Sequence, residues 1–139
     1  MSGGVVLGGE VKRADAASYD VVAAGFDQLS ERFSAPIAER LLDMAGISGN
    51  ERVLDVGAGT GVVALRAAQR CGSVVGVDHS AGMLREAGEK ARRLGLGERV
   101  AFREMDAEAL EFGAGSFDVA VSLFVFLHLP DPLAAAREL

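Results

Sequence analysis

With one cysteine, Cys71, and two widely separated histidines, His79 and His128, this 139-residue chain has no material for a disulfide framework or a Cys/His metal centre. Basic residues are scarce too. Fourteen Lys and Arg against twenty Asp and Glu leave a net charge of −6, which argues against a broad electrostatic grip on DNA or RNA. The one basic cluster, Lys90, Arg92 and Arg93, reads as a solvated helix face. No apolar run reaches the length of a membrane span. The opening nine residues, though apolar and glycine-rich, lack the basic start and long apolar core of a signal peptide. A reducing cytoplasm is the expected location. No Gly-Lys-Ser or Gly-Lys-Thr is present, which excludes a phosphate loop.

What is present suits one soluble domain: half the residues are hydrophobic and 24% are charged, enough for a sizeable core. Residues 1 to 14 are expected to form a loose, flexible arm, with the domain running from 15 to 139. Tyr19, Val22, Phe26, Leu29 and Phe33 recur at three- and four-residue intervals, the stripe of an amphipathic helix. A second helix is predicted from near Ser34, with Pro36 in its first turn, stopping at Gly46. Strands are then predicted over 52–56, 74–77, 99–104 and 117–123. Helices are predicted over 61–70 and 81–94, and a last one opens at Pro130-Asp131-Pro132. Such alternation implies parallel strands, right-handed crossovers and helices on both faces of the sheet.

The most informative stretch is Val53-Leu54-Asp55-Val56-Gly57-Ala58-Gly59-Thr60-Gly61. A short apolar strand carries an acid near its end and runs into three alternate glycines. Glycines there allow unusual backbone torsions and let a ligand approach the main chain, and the helix that follows turns free N–H groups toward the loop. A dinucleotide fingerprint would need Gly-x-Gly-x-x-Gly, but Val62 stands where its third glycine belongs. A second strand, Val74-Val75-Gly76-Val77-Asp78, also ends in an acid, 23 residues beyond Asp55. An acid about 20 residues after such a loop is placed to hold a ribose diol. Ser80 is a natural N-cap for the helix after it.

These residues resemble motif I and the following motifs of the class I S-adenosylmethionine-dependent methyltransferases. The likeness continues through Ser80-Ala81-Gly82-Met83-Leu84, Val100-Ala101-Phe102-Arg103-Glu104-Met105-Asp106-Ala107 and Ser116-Phe117-Asp118-Val119-Ala120-Val121-Ser122. It covers about residues 19 to 139 and looks closest to the small-molecule branch that includes ubiquinone, menaquinone and natural-product methyltransferases. The resemblance implies a Rossmann-like, doubly wound, mostly parallel α/β sheet, with S-adenosylmethionine as cofactor. It also implies a cofactor site made of Asp55, Gly57, Ala58, Gly59, Gly61, Asp78, His79, Met83, Asp106, Ala107 and Leu123. In that reading Asp55 serves the methionine portion and Asp78 the ribose. Met83 packs on adenine, while the Asp106 carboxylate and the Ala107 N–H read its edge. Family members often carry a polar residue near 124 and a histidine pair at 127 and 128. Here Phe124 and Leu127 stand instead, so His128 is expected to be structural and no general base is assigned.

The family sheet has seven strands ordered 3-2-1-4-5-7-6, and this sequence reaches only the helix after strand four. A four-stranded sheet ordered 3-2-1-4, truncated after the fourth strand, is therefore expected, with strand four as an apolar edge inviting a second copy. Ala134, Ala135, Ala136 and Leu139 have no foreseen partner. The expected function is methyl transfer to a small, apolar acceptor. Two other readings stay open: a module that binds S-adenosylmethionine or its demethylated product without catalysis, and half of a nucleotide-dependent oxidoreductase.

Overall fold

The computed structural model describes the backbone of residues 8–139 and the side chains of residues 12–18, 20 and 31–139. Residues 1–7, and the stripe positions Tyr19, Val22, Phe26 and Leu29, lie outside what is described. The four strands are β1 (Arg52–Val56), β2 (Ser73–Asp78), β3 (Val100–Glu104) and β4 (Val119–Val121). They form one parallel sheet in the order β3-β2-β1-β4. Between them run α2 (Val62–Ala68) and α3 (Ala81–Arg93), with α1 (Gly8–Met44) before and α4 (Pro132–Glu138) after.

Parallel strands buried on both faces read as continuous apolar runs, and Val53, Leu54 and Val56 are all buried. Alternation sorts them. Val53, Val74, Val100 and Val121 face the layer of α1, α2 and α3, where Ala38, Leu42, Leu65 and Ala91 fill the core. Leu54, Val56 and Val77 face the other way, against Met105, Leu110, Phe112 and Phe117 from the connection between β3 and β4. Helices α1, α2 and α3 thus share one face, and the second is covered mainly by that connection. Beside it, α4 is tied in where the Leu110 N–H donates to Glu138 Oε2 at 2.8 Å. Ala135, for which the sequence suggested no partner, is buried.

Helix ends follow local chemistry. Ser80 Oγ accepts from the Met83 N–H at the start of α3, Lys90, Arg92 and Arg93 sit in its last turn against the helix dipole, and Gly95 (φ 70°) ends it. Asp131 caps α4 through Leu133 and Ala134, with Pro132 in the first turn. At the sheet edge the Arg52 guanidinium and its backbone N–H both reach Asp118. That fork, foremost its side-chain hydrogen bonds, holds the Asp118 carboxyl down at about 2.

Three expectations are corrected. The arm foreseen over residues 1–14 is helical from Gly8 onward, because Lys12 and Asp15 find partners on the sheet's loops. The two helices foreseen on either side of Ser34 are one helix with Pro36 inside it. Proline there removes an N–H, but Glu31 before it and Glu39 and Asp43 after it all pair with Arg66 of α2 or with Arg70 in the turn that follows α2, so both halves are held to one region. Strand four spans three residues instead of seven, because Ser122 Oγ donates to the Val56 carbonyl at 2.8 Å, where a further rung of the ladder would have formed.

Leu42, fully buried on α1, joins that helix to the core. Leu42→Ala should lower unfolding free energy by about 2–5 kcal/mol in urea titration. A loss under about 1 kcal/mol would mean that α1 does not dock on this face.

Candidate functional site

A cavity of about 410 Å³ opens at the carboxyl ends of the strands, where the strand order reverses: the chain runs from β1 to β2 and β3 on one side and returns to β4 on the other. That is where ligands bind in open α/β sheets, and the volume suits a small molecule. Gly57, Ala58 and Gly59 line it from the loop after β1, and Asp78, His79 and Met83 from the end of β2 and the start of α3. Met105, Asp106 and Ala107 line it after β3, and Leu123, Phe124, Val125, Leu127, His128, Leu129 and Pro130 after β4.

The glycine loop is held from below. The Gly57 and Ala58 N–H groups both donate to the Val77 carbonyl at 2.8 Å, and the Gly61 N–H donates to the Ala58 carbonyl. The Gly59 N–H donates to Asp78 Oδ2 at 2.9 Å, while Asp78 Oδ1 accepts from the Ser80 N–H. The loop's own N–H groups at Gly57, Ala58, Gly59 and Gly61 are therefore used within the protein. Gly57 has φ 77°, and a Cβ there would collide with the Val125 side chain. Val125 is brought over the loop by Phe124, the one non-glycine residue with positive φ (67°) among the described residues. Such a backbone in a bulky residue is costly and tends to gather at working sites.

Of the residues expected to form a cofactor site, Gly57, Ala58, Gly59, Asp78, His79, Met83, Asp106, Ala107 and Leu123 all line this one cavity. Asp55 and Gly61 do not. Gly61 (φ 90°) caps α2, where a Cβ would press on Leu65 and Ala87. Asp55 lies behind the loop on the α2 side, 1% exposed, with neither carboxylate oxygen in a formed hydrogen bond. Burial raises its pKa to about 7, offset in part by the Ala64 N–H and reinforced by the charge of Asp78.

Several lining residues carried no local signal in the sequence: Lys12, Asp15 and Ser34 of α1 reach the cavity only because that helix crosses the strand ends. Asp15 Oδ2 lies 3.3 Å from His79 Nε2. Asp20 Oδ1 accepts from Ser80 Oγ at 2.6 Å and from the Gly82 N–H at 2.7 Å. The backbone N–H of His128, a residue expected to be structural, closes the 3₁₀ turn Val125–Leu127 onto the Val125 carbonyl, and the residue also lines the cavity.

A carboxyl whose folded pKa is raised favours folding fully below its unfolded pKa, 3.8, and loses that contribution as pH rises through about 7. Asp55→Asn should therefore flatten the fall in stability between pH 4 and 7 and raise the urea midpoint at pH 8. Parallel pH profiles for the two proteins would show that Asp55 ionises normally.

Comparison with known proteins agrees with this geometry. A family profile described as "Methyltransferase domain" matches residues 53–139. The chain is 36% identical over 121 residues to aklanonic acid methyltransferase DauC of Streptomyces sp. (strain C5), covering 85% of this chain and 54% of that one. It is 38% identical over 123 residues to nocamycin O-methyltransferase of Saccharothrix syringae, covering 86% and 44%. Its fold matches that of a geranyl diphosphate methyltransferase solved in complex with SAM, with a TM-score of 0.61 and 31% identity over 66% of this chain and 38% of that one. The chain spans about half the length of the curated relatives it matches. It belongs to the S-adenosylmethionine-dependent methyltransferases of class I.

Proposed function

We propose that this chain is the cofactor-binding portion of a methyltransferase acting on a small molecule. One observation carries the reading: a single cavity gathers Asp78, Met83, Asp106 and Ala107 at one end and the apolar wall after β4 at the other. The polar end suits an adenosyl group. Asp78, held by two backbone N–H groups, keeps lone pairs for a ribose diol, buried Met83 offers a polarizable face to adenine, and Asp106 with the Ala107 N–H offers an acceptor and a donor to its edge. Gly57 and Gly59 let the methionine portion lie close to the main chain.

When bound, the cofactor supplies a methyl group already activated on a sulfonium. The protein's own part is to hold the acceptor in line with it and to exclude water. Leu123, Val125, Leu129 and half-exposed Phe124 can do this for an apolar acceptor. That fits relatives named for methylating aklanonic acid and for O-methylation of nocamycin. His128 also lines that end of the cavity, and no catalytic proton transfer is assigned to it.

The outer edge of β4 pairs with no strand among the described residues, and Leu127 and Leu133 are well exposed near it in sequence. A second copy joined along that edge belongs to the proposal; sedimentation should show a dimer at high micromolar concentration, and a stable monomer would remove it.

Isothermal titration with S-adenosylhomocysteine should give micromolar or tighter binding, with none for NADH. Asp78→Ala should weaken it by about 1–3 kcal/mol. Equal affinity in the variant would take Asp78 out of the site, and tighter binding of NADH would overturn the assignment.

A further inference from the structure

The least expected feature of the cavity is a lysine at its acidic end. Lys12 Nζ lies 2.7 Å from Asp106 Oδ2 and 2.6 Å from Glu108 Oε2. The remaining oxygens of both acids are held as well: Asp106 Oδ1 accepts from the Glu108 N–H at 2.9 Å, and Glu108 Oε1 accepts from the Asp131 N–H at 2.9 Å. Two carboxylates within reach of one ammonium are necessarily close to each other. Without that ammonium their repulsion would favour a shared proton or a turned side chain. The clamp acts against burial. Burial alone would raise the Asp106 carboxyl, yet the Lys12 hydrogen bond and the Glu108 N–H hold it below the usual range. Burial likewise pulls Lys12 down, but the bonds and charges of its two partners keep it above its ordinary value.

We propose that Lys12 is a positioning residue for base recognition, clamping Asp106 as an ionised acceptor of one orientation so that the cavity selects a 6-aminopurine over a 6-oxopurine. The inference rests on the reading of this cavity as an adenosyl site. An ionised carboxylate only accepts. Each Asp106 oxygen already holds one protein donor, which leaves lone pairs for a further donor and nothing for an oxo group. An exocyclic amine supplies such a donor, whereas a carbonyl at the same position meets like charge. A protonated or rotated Asp106 would lose this preference, since a neutral carboxyl can donate to a carbonyl oxygen. The neighbouring charges do not replace Lys12. Asp15 adds negative charge from α1, and His79 is engaged with Asp15.

The test compares S-adenosylhomocysteine with its deaminated analogue, S-inosylhomocysteine, by isothermal titration. The full chain should prefer the amino form. Lys12→Met and the neutral, hydrogen-bonding Lys12→Gln, each checked for folding by circular dichroism, should bind S-adenosylhomocysteine about tenfold more weakly. Their affinity for the inosyl analogue should stay unchanged, so the preference collapses. Lys12→Arg should restore most of it. A purely structural Lys12 would weaken both ligands equally and keep the ratio, and that result would overturn the proposal alone. Absence of S-adenosylhomocysteine binding by the unaltered chain would overturn the adenosyl reading and this inference with it.

Discussion

The site depends on the grip of the end of β2 on the glycine loop. One carbonyl, that of Val77, takes two successive N–H groups of the loop, and the adjoining Asp78 carboxylate takes a third. That arrangement requires residues 57–61 to turn inward, which glycine permits at three positive-φ positions. It leaves the inner face of the turn without side chains at Gly57 and Gly59, and the space that results is the cavity. Asp78 therefore holds the loop while also lining the cavity. A loop fastened before a ligand arrives has less ordering entropy to lose on binding.

A second layer of order comes from α1, which ties together loops that the sheet leaves separate. Asp20 reaches the start of α3, Asp15 reaches His79, and Lys12 reaches the turn after β3, whose Glu108 in turn holds the start of α4. These contacts cross more than sixty residues of sequence in most cases. Partly exposed ion pairs of this kind contribute little to stability one by one. Their consequence is geometric, because each holds a carboxylate or an N–H in one place around the cavity rim. Further along, the helix switches partner to Arg66 of α2 and Arg70 just after it, which hold it on both sides of Pro36.

The acid of the first motif has a different position from the one its place in the sequence suggests. Asp55 precedes the glycines by two residues, yet strand alternation turns it to the same face as Val53, under α2, while the cavity lies beyond the loop. Its carboxylate is buried behind the backbone that lines the cavity. The turn after β4 shows the opposite relation. Phe124 gives no sign in sequence of a left-handed backbone, and that torsion is what brings Val125 over Gly57.

The sequence by itself determined what local pattern can carry: four strands in parallel order, their helices, the glycine loop, the acids at the ends of β1 and β2, and nine of the residues that meet in one cavity. The strands, helices and glycine loop follow from hydrophobic alternation, capping and turn chemistry acting over a few residues, while the strand order and most of the cavity residues are what the family resemblance implied. Tertiary structure alone decided the rest. It made α1 one helix across Pro36, shortened β4 at Ser122, placed Asp55 behind the loop, and brought Lys12 and Asp15 to the cavity. The physical reason is the same in each case, because these outcomes depend on partners dozens of residues away that become neighbours only when the parallel sheet has formed.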